Sequence, residues 1–322
     1  MKILVAGGAG FIGSVVVPKL ADRGYEVDVI DWCWFGNHLP KNIKLIKKNI
    51  FDITEAELKE YDQVIFLGGV SNDPMAEFSP KDNFIYNSAL PAYLCFMAKK
   101  ANVKRFIYAG SCSVYGYTVD ELYDEESPTV SAYPYGISKL QGELSVMQMK
   151  DENHSVICFR QGTVCGYSPR MRLDLVINTM FKNALSLGQI TLNNPAIWRP
   201  VVSLHDLSDA YIRAVEASDE ISGVFNISSA NYTLGQLGDI VKERIEAQTG
   251  KAIKMQINHN KDFRNYKVSC DKAAKVLGYV PKDDAGAIVD NLFANYEKFK
   301  DFENPEYYNI QIFKSIKEQM TV

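Results

Sequence analysis

Histidine is sparse in this chain: there are four, widely separated, with no spacing that suggests shared metal ligation. The six cysteines, at positions 33, 95, 112, 158, 165 and 270, contain no Cys-x-x-Cys pair. That argues against a zinc knuckle or a disulfide framework and for reduced, mostly buried thiols. A broad basic excess is missing too. The net charge is −4 and the pI near 5.7, so nothing is set up to track a nucleic-acid backbone. No apolar run approaches the roughly 18 residues of a membrane span. The N-terminus passes from a short apolar run straight into glycines, without the longer apolar region and cleavage site of a signal peptide. Internal repeats and low-complexity linkers are absent as well. These absences lead to the expectation of a cytoplasmic, metal-free protein that binds neither nucleic acid nor membrane.

What is present is enough apolar material for a large core, 47% of 322 residues. The first two-thirds alternates strand and helix. Strands are expected at Lys2–Ala6, Glu26–Asp31, Ile43–Ile50, Gln63–Gly68, Arg105–Gly110 and Ser155–Gly162. Helices are expected at Phe11–Arg23, Asp82–Ala101 and Tyr133–Asp151. Strands joined by helices imply a doubly wound parallel sheet. Val201–Leu204 and Val224–Ile227 read as late strands of that sheet. Thr233–Thr249 and Asp271–Leu277 read as helices of a second lobe, followed by a polar, aromatic tail from about Asp301 to Val322. The expected division is α/β: residues 1–165 and 200–229 form a dinucleotide-binding domain, and 166–199 and 230–322 a smaller mixed substrate lobe.

Gly7-Gly-Ala-Gly10-Phe11-Ile12-Gly13 follows the first strand and opens the first helix. A sharp turn there, and a pyrophosphate approaching backbone N–H groups at a helix N-terminus, both need residues without a Cβ. Asp31 ends the second strand, where a carboxylate can bond adenosine ribose hydroxyls and repel a 2′-phosphate. No arginine follows it in Trp32-Cys33-Trp34, which favours NAD over NADP. Tyr135 and Lys139 stand four residues apart, one above the other on a helix. A nearby ammonium favours a phenolate, so Tyr135 is a candidate general base.

Together these motifs resemble the extended short-chain dehydrogenase/reductases, the nucleotide-sugar epimerases and dehydratases, over nearly the whole chain. Ala109-Gly-Ser111-Cys-Ser113-Val-Tyr115-Gly116 is similar to that family's fifth-strand motif. The resemblance implies a Rossmann fold with a bound NAD and a nucleotide-diphosphate sugar as substrate. It implies that Tyr135 takes a hydroxyl proton, Lys139 lowers the tyrosine pKa and holds the nicotinamide ribose, and Ser111 bonds the reacting oxygen. Leu67-Gly68-Gly69 sits where the family usually has His-Leu-Ala-Ala, and Asn49-Ile50 where it has Asp-Ile against the adenine. Asn87 matches a cofactor-side asparagine. Thr163 replaces an asparagine that contacts the sugar diphosphate, and Ser113 is assigned to the substrate. Arg170, Arg172, Arg199 and Arg264 are the candidate diphosphate partners, because a diphosphate calls for planar cations.

The family's 4,6-dehydratases carry an Asp-Glu pair where this chain has Cys112 and Ser113, which counts against dehydration. C3/C5 epimerases place a cysteine at the position of Ser113, one residue out of register with Cys112. Oxidation at one carbon remains, C4 by preference, as a 4-epimerase or a 4-dehydrogenase. Ser168-Pro-Arg-Met-Arg-Leu-Asp174 is similar to a bacterial surface-polysaccharide subgroup that includes a GDP-heptose 4-dehydrogenase. The alternative from another class is a non-catalytic NAD-binding redox sensor, against which the retained Tyr135, Lys139 and Ser111 speak. The apolar excess of Asp82–Ala101, with the helix Tyr133–Asp151, predicts a homodimer interface.

Overall fold

The computed structural model describes residues 1–258 and 264–320. The chain opens with Lys2–Ala6 (β1), Glu26–Asp31 (β2), Lys44–Lys47 (β3), Gln63–Phe66 (β4) and Arg105–Ser111 (β5). Tyr117–Tyr123 (β6) pairs elsewhere, and Ser155–Gln161 (β7) returns. Thr163–Cys165 (β8), Gln189–Asn193 (β9) and Trp198–Ser203 (β10) belong to smaller sheets, whereas Gly223–Ile227 (β11) joins the large one. Ala230–Thr233 (β12), Lys254–Asn258 (β13) and Asn265–Val268 (β14) complete the smaller sheets. The large sheet is parallel throughout, in the order β11-β7-β5-β4-β1-β2-β3.

The helices are Gly13–Asp22 (α1), Glu55–Leu58 (α2), Asp73–Phe78 (α3), Pro80–Phe84 (α4), Leu90–Lys100 (α5) and Pro134–Met147 (α6). They continue with Val176–Leu187 (α7), Leu204–Glu216 (α8), Leu234–Thr249 (α9), Asp271–Leu277 (α10), Ala285–Ala294 (α11) and Asn309–Met320 (α12).

Side-chain alternation explains why the sheet is covered on both faces. Along β1, Ile3 and Val5 enter one core with Val16, Val17 and Leu20 of α1 and Leu207 and Tyr211 of α8. Leu4 and Ala6 enter the opposite core with Leu94 and Ala98 of α5 and Val146 of α6. Each fully buried Leu or Val contributes roughly 1.5–3 kcal/mol. Arg105 is buried at the start of β5 and donates to Ala214 O, Ala217 O and Ser218 O at 2.8, 2.8 and 2.6 Å. It thereby satisfies carbonyls left over at the end of α8. A third core, with Phe181, Leu192, Leu237, Val241 and Ile288, fills the lobe of α7, α9 and α11.

Three elements depart from the sequence reading. Val201–Leu204 does not join the large sheet. Strand β10 pairs with β8 in parallel and with β12 antiparallel. Gly162 is where the chain leaves β7 for that sheet, and a Cβ there would lie 2.9 Å from Pro200 O. Helix α10 forms as expected, but Ala273 and Leu277 are buried in the core of the large sheet, not that of the smaller lobe. The long helix expected over 82–101 is interrupted at Ile85–Ala89 by a π-turn. The polar, aromatic tail carries α12, which packs Phe313 against Val70 and Met75. The final two residues of the tail lie outside the described residues.

Candidate active site

Strands β1 and β4 are neighbours in the sheet, yet β1 is flanked next by β2 and β4 by β5. The crevice beyond their carboxyl ends is the switch point of a doubly wound sheet. Two loops meet there. Gly7 has φ +78°, and a Cβ on it would lie 2.4 Å from Gly68 Cα, so the chain itself demands glycine. Gly10 is different. The nearest atom to its missing Cβ is Gly7 O at 3.5 Å, an ordinary contact. The fold does not require glycine at 10; an approaching pyrophosphate does.

A cavity of about 380 Å³ opens at this point. Gly7, Gly10, Phe11, Ile12, Gly13, Asp31, Asn49, Ile50, Leu67, Gly68 and Gly69 line its dinucleotide half. Asp31 Oδ2 accepts from Ala9 N at 3.0 Å and Oδ1 from Cys33 N at 2.7 Å. Burial raises its pKa, and these backbone bonds work against the rise. Asn49 uses its amide oxygen to cap the following turn, accepting from Phe51 N at 3.1 Å. Trp32, Trp34 and Phe35 line the same half, with Trp32 and Trp34 stacked 5.5 Å apart. Gln161 Oε1 and Arg170 Nε, on two residues of the cavity wall, are buried without a hydrogen-bond partner. Orphaned polar atoms of this kind fit a polar ligand such as NAD.

Asn87 is the exception among the expected cofactor residues, because its side chain is buried behind the cavity wall. Its amide accepts from Val70 N and donates to Val70 O, both at 2.9 Å, and reaches Asn83 and Ser138. It fastens the 67–70 loop rather than facing a ligand. Gly69, at φ +126°, is forced by this packing: a Cβ would fall 2.2 Å from Asn87 Oδ1.

Tyr135, Lys139 and Ser111 converge on the cavity from α6 and the end of β5. Ser111 Oγ accepts from Ser113 N at 3.2 Å and from Ser113 Oγ at 2.9 Å, which leaves its own hydrogen to donate. Lys139 Nζ lies 6.0 Å from the Tyr135 ring centre and donates to Ala109 O at 2.9 Å. The expected lowering of the tyrosine pKa by this lysine is not found. Desolvation pushes Tyr135 up to about 12, with Ser111 and Arg172 pulling down and Asp73 pushing up. Lys139 is itself driven down to about 8 by burial. The ammonium is spent on a strand carbonyl, so the cleft alone does not prepare a phenolate. Cys112 is buried outside the cavity, its thiol donating to Arg160 O at 3.1 Å.

Thr163 and all four arginines line the cavity, but the arginines do not form one cluster. Arg199 and Arg264 stand over Tyr266 and Tyr133, on the side of Ser111 and Tyr135. Arg172 is held by Asp174 through bonds of 2.9 and 3.1 Å. Arg170 lies beside Asp31, its guanidinium 4.1 Å from the Phe35 ring centre. It lines the same cavity as the other three arginines but stands nearer Asp31 and Phe35 than they do. Three residues escaped the sequence reading. Asp73, at the first turn of α3, pairs with Arg264; Asp174 engages Arg172; Asn309 reaches the cavity from the tail. Asn72-Asp73-Pro74, a cap followed by an acid and Pro, was the one local signal for the first. A small trio, His205, Asp206 and Asp283, gathers elsewhere. The Asp206 carboxylate is occupied there by Ser229 Oγ and two backbone N–H groups.

Among the described residues, no helix is long and apolar enough to cross a membrane. Residues 3–228 match the model of the NAD dependent epimerase/dehydratase family. UDP-glucuronic acid decarboxylase 3 of Arabidopsis thaliana is 29% identical over 301 residues, covering 88% of this chain and 85% of that protein. UDP-glucose 4-epimerase of Corynebacterium glutamicum is 23% identical, covering 91% and 95%. The crystal structure of a Thermotoga maritima UDP-glucose 4-epimerase with UDP-glucose superposes with a TM-score of 0.79 at 25% identity, covering 92% of this chain and 99% of that one. With a glycine cradle, a strand-end acid and a Tyr–Lys–Ser wall around one crevice, and a family match over most of its length, the chain belongs to the NAD-dependent epimerase/dehydratase enzymes.

Proposed function

We propose that this enzyme oxidises the C4 hydroxyl of a nucleotide-diphosphate sugar and reduces the ketone again on its other face, as a 4-epimerase. When bound, NAD⁺ supplies the hydride acceptor. Tyr135, in its phenolate form, takes the hydroxyl proton and becomes the neutral phenol, and Ser111 donates to the reacting oxygen. Lys139, anchored by Ala109 O, holds the nicotinamide ribose. Arg199 and Arg264 take the sugar diphosphate, while Thr163 and Ser113 border the sugar. General-base catalysis of this kind contributes about 10²–10⁴-fold.

The observation that carries the reading is the wall beside Tyr135. Cys112 is turned into the core and Ser113 is bonded to Ser111, so neither offers the carboxylate that elimination needs. Asp73 is ion-paired with Arg264. The likeness of Ser168–Asp174 to a surface-polysaccharide subgroup supports a bacterial cell-surface sugar as substrate.

One finding favours a second reading. The UDP-glucuronic acid decarboxylase relative is among the more similar in sequence, and C4 oxidation of a uronic acid creates a β-keto acid that can lose CO₂. A panel of UDP-, GDP-, CDP- and dTDP-sugars, including UDP-glucuronic acid, separates the outcomes. Inversion at C4 without net NADH is expected. Net NADH would indicate a dehydrogenase, and CO₂ release a decarboxylase.

A further inference from the structure

The tail closes over the dinucleotide half of the cavity. Asn309, the first residue of α12, donates to Ser71 Oγ at 2.6 Å and accepts from Arg170 Nη2 at 2.5 Å. One side chain thus ties the loop after β4 to the segment around residue 170. A turn later Phe313 is fully buried, 5.6 Å from the Trp34 ring and 6.0 Å from Phe78. Lys317 then pairs with Asp82 at 2.6 Å. The helix therefore grips the loop after β2, the loop after β4 and the start of the broken helix beyond it.

Arg170 lies at the centre of this arrangement. It is 2% exposed, and its direct contacts are Asn309, Met171 O and the Phe35 ring, with the carboxylates of Asp174, Glu306 and Asp31 acting on it without a hydrogen bond. Its Nε has no hydrogen-bond partner among the described residues. Burial and the neighbouring Arg172 depress its pKa to about 9, even though Asp174, Glu306 and Asp31 pull it the other way. A buried guanidinium in such surroundings is costly unless an anion meets it. Its neighbours Asp31 and Phe35 belong to the dinucleotide half, so the ligand anion that its free Nε would meet is a phosphate of the dinucleotide rather than one of the sugar nucleotide.

We propose that Arg170 binds the dinucleotide phosphates, and that α12 is a strap that holds Arg170 in place and keeps the dinucleotide bound between turnovers. This rests on the chain's NAD dependence and not on the identity of the sugar. A retained dinucleotide returns its hydride to the same ketosugar, which is what an epimerase requires and a dehydrogenase does not.

The test uses the full chain without any sugar. Dinucleotide released on denaturation is quantified, and exchange of bound dinucleotide against isotopically labelled NAD⁺ is timed. Wild type is expected to purify with dinucleotide bound and to exchange it slowly. Asn309→Ala, Arg170→Met and Lys317→Glu are expected to exchange at least tenfold faster, with circular dichroism unchanged. Lys317→Glu disturbs the strap from its partly exposed side, so it remains informative if a buried variant misfolds. Arg199→Met is the contrast, with exchange like wild type. Folded Asn309→Ala and Lys317→Glu proteins that exchange at the wild-type rate would overturn the strap. A wild type that binds no NAD would overturn the strap and the dinucleotide-dependent reading together. A failed sugar panel would leave the strap standing.

Discussion

At the scale of single residues, the phenol and the ammonium are both held away from their ordinary titration ranges. Tyr135→Phe removes the proton acceptor together with its hydrogen bond to Ser111, so turnover of the substrate should fall about 10²–10⁴-fold with the fold intact; steady-state kinetics decide. Asp73 raises the Tyr135 pKa, and the phenolate is the working form. Removing that negative charge favours the phenolate, so in Asp73→Asn the rising limb of the pH–rate profile should move to lower pH. A limb that stays put or moves up would refute the coupling. Lys139 titrates near 8 in the native protein against an ordinary 10.5. The unfolded chain therefore binds its proton more tightly, and stability rises with pH between about 8 and 10.5. Lys139→Met should lose turnover yet gain stability at pH 7. At about 1.4 kcal/mol per pH unit the gain is bounded at ~3.5 kcal/mol, less the lost bond to Ala109 O. Thermal unfolding at pH 7 and pH 10 checks this: the advantage of the variant should be largest below pH 8 and fade toward 10.5.

At the scale of elements, the interruption at Ile85–Ala89 is the informative departure. π-turns inside helices are rare and occur often at functional sites. Here the turn carries Asn87 to the underside of the 67–70 loop, where it serves both the N–H and the C=O of Val70. Leu67, Gly68 and Gly69 of that loop line the cavity beside the Gly7–Gly13 turn. Asn87→Ala leaves those two backbone groups without their partner, a loss of about 1–3 kcal/mol for each buried group unmet. The variant should be measurably less stable to urea, and its NAD affinity should fall about tenfold or more because the loop is no longer fixed. Titration calorimetry showing wild-type affinity would mean that the loop holds its shape without the asparagine. The sequence pattern showed a single helix over this stretch because apolar spacing hardly changes when one turn widens.

At the scale of the whole molecule, what could be read from the sequence was local and what could not was distant. Gly7 to Gly13, Asp31, Ser111 and the Tyr135–Lys139 spacing each lie within one strand, loop or helix, so their geometry follows from neighbours in the chain. The Asp73–Arg264 pair spans 191 residues and the Arg170–Asn309 bond 139; no periodicity announces either. The same limit applies to assembly. The two helices that predicted a dimer, α5 and α6, pack side by side and leave Phe96 and Leu144 exposed, with Tyr93 beside Phe51. An apolar surface on an adjacent helix pair suits a two-fold contact with a second copy, in which the same patch meets itself. A stable contact needs roughly 800 Å² from each partner, an area that two helices of this length can offer. Wild type should therefore scatter light at twice the 36.2 kDa chain mass at micromolar concentration. Phe96→Glu combined with Leu144→Glu places like charges across the two-fold axis and should yield a monomer that keeps its helical content. A wild type that is monomeric under those conditions would refute the interface.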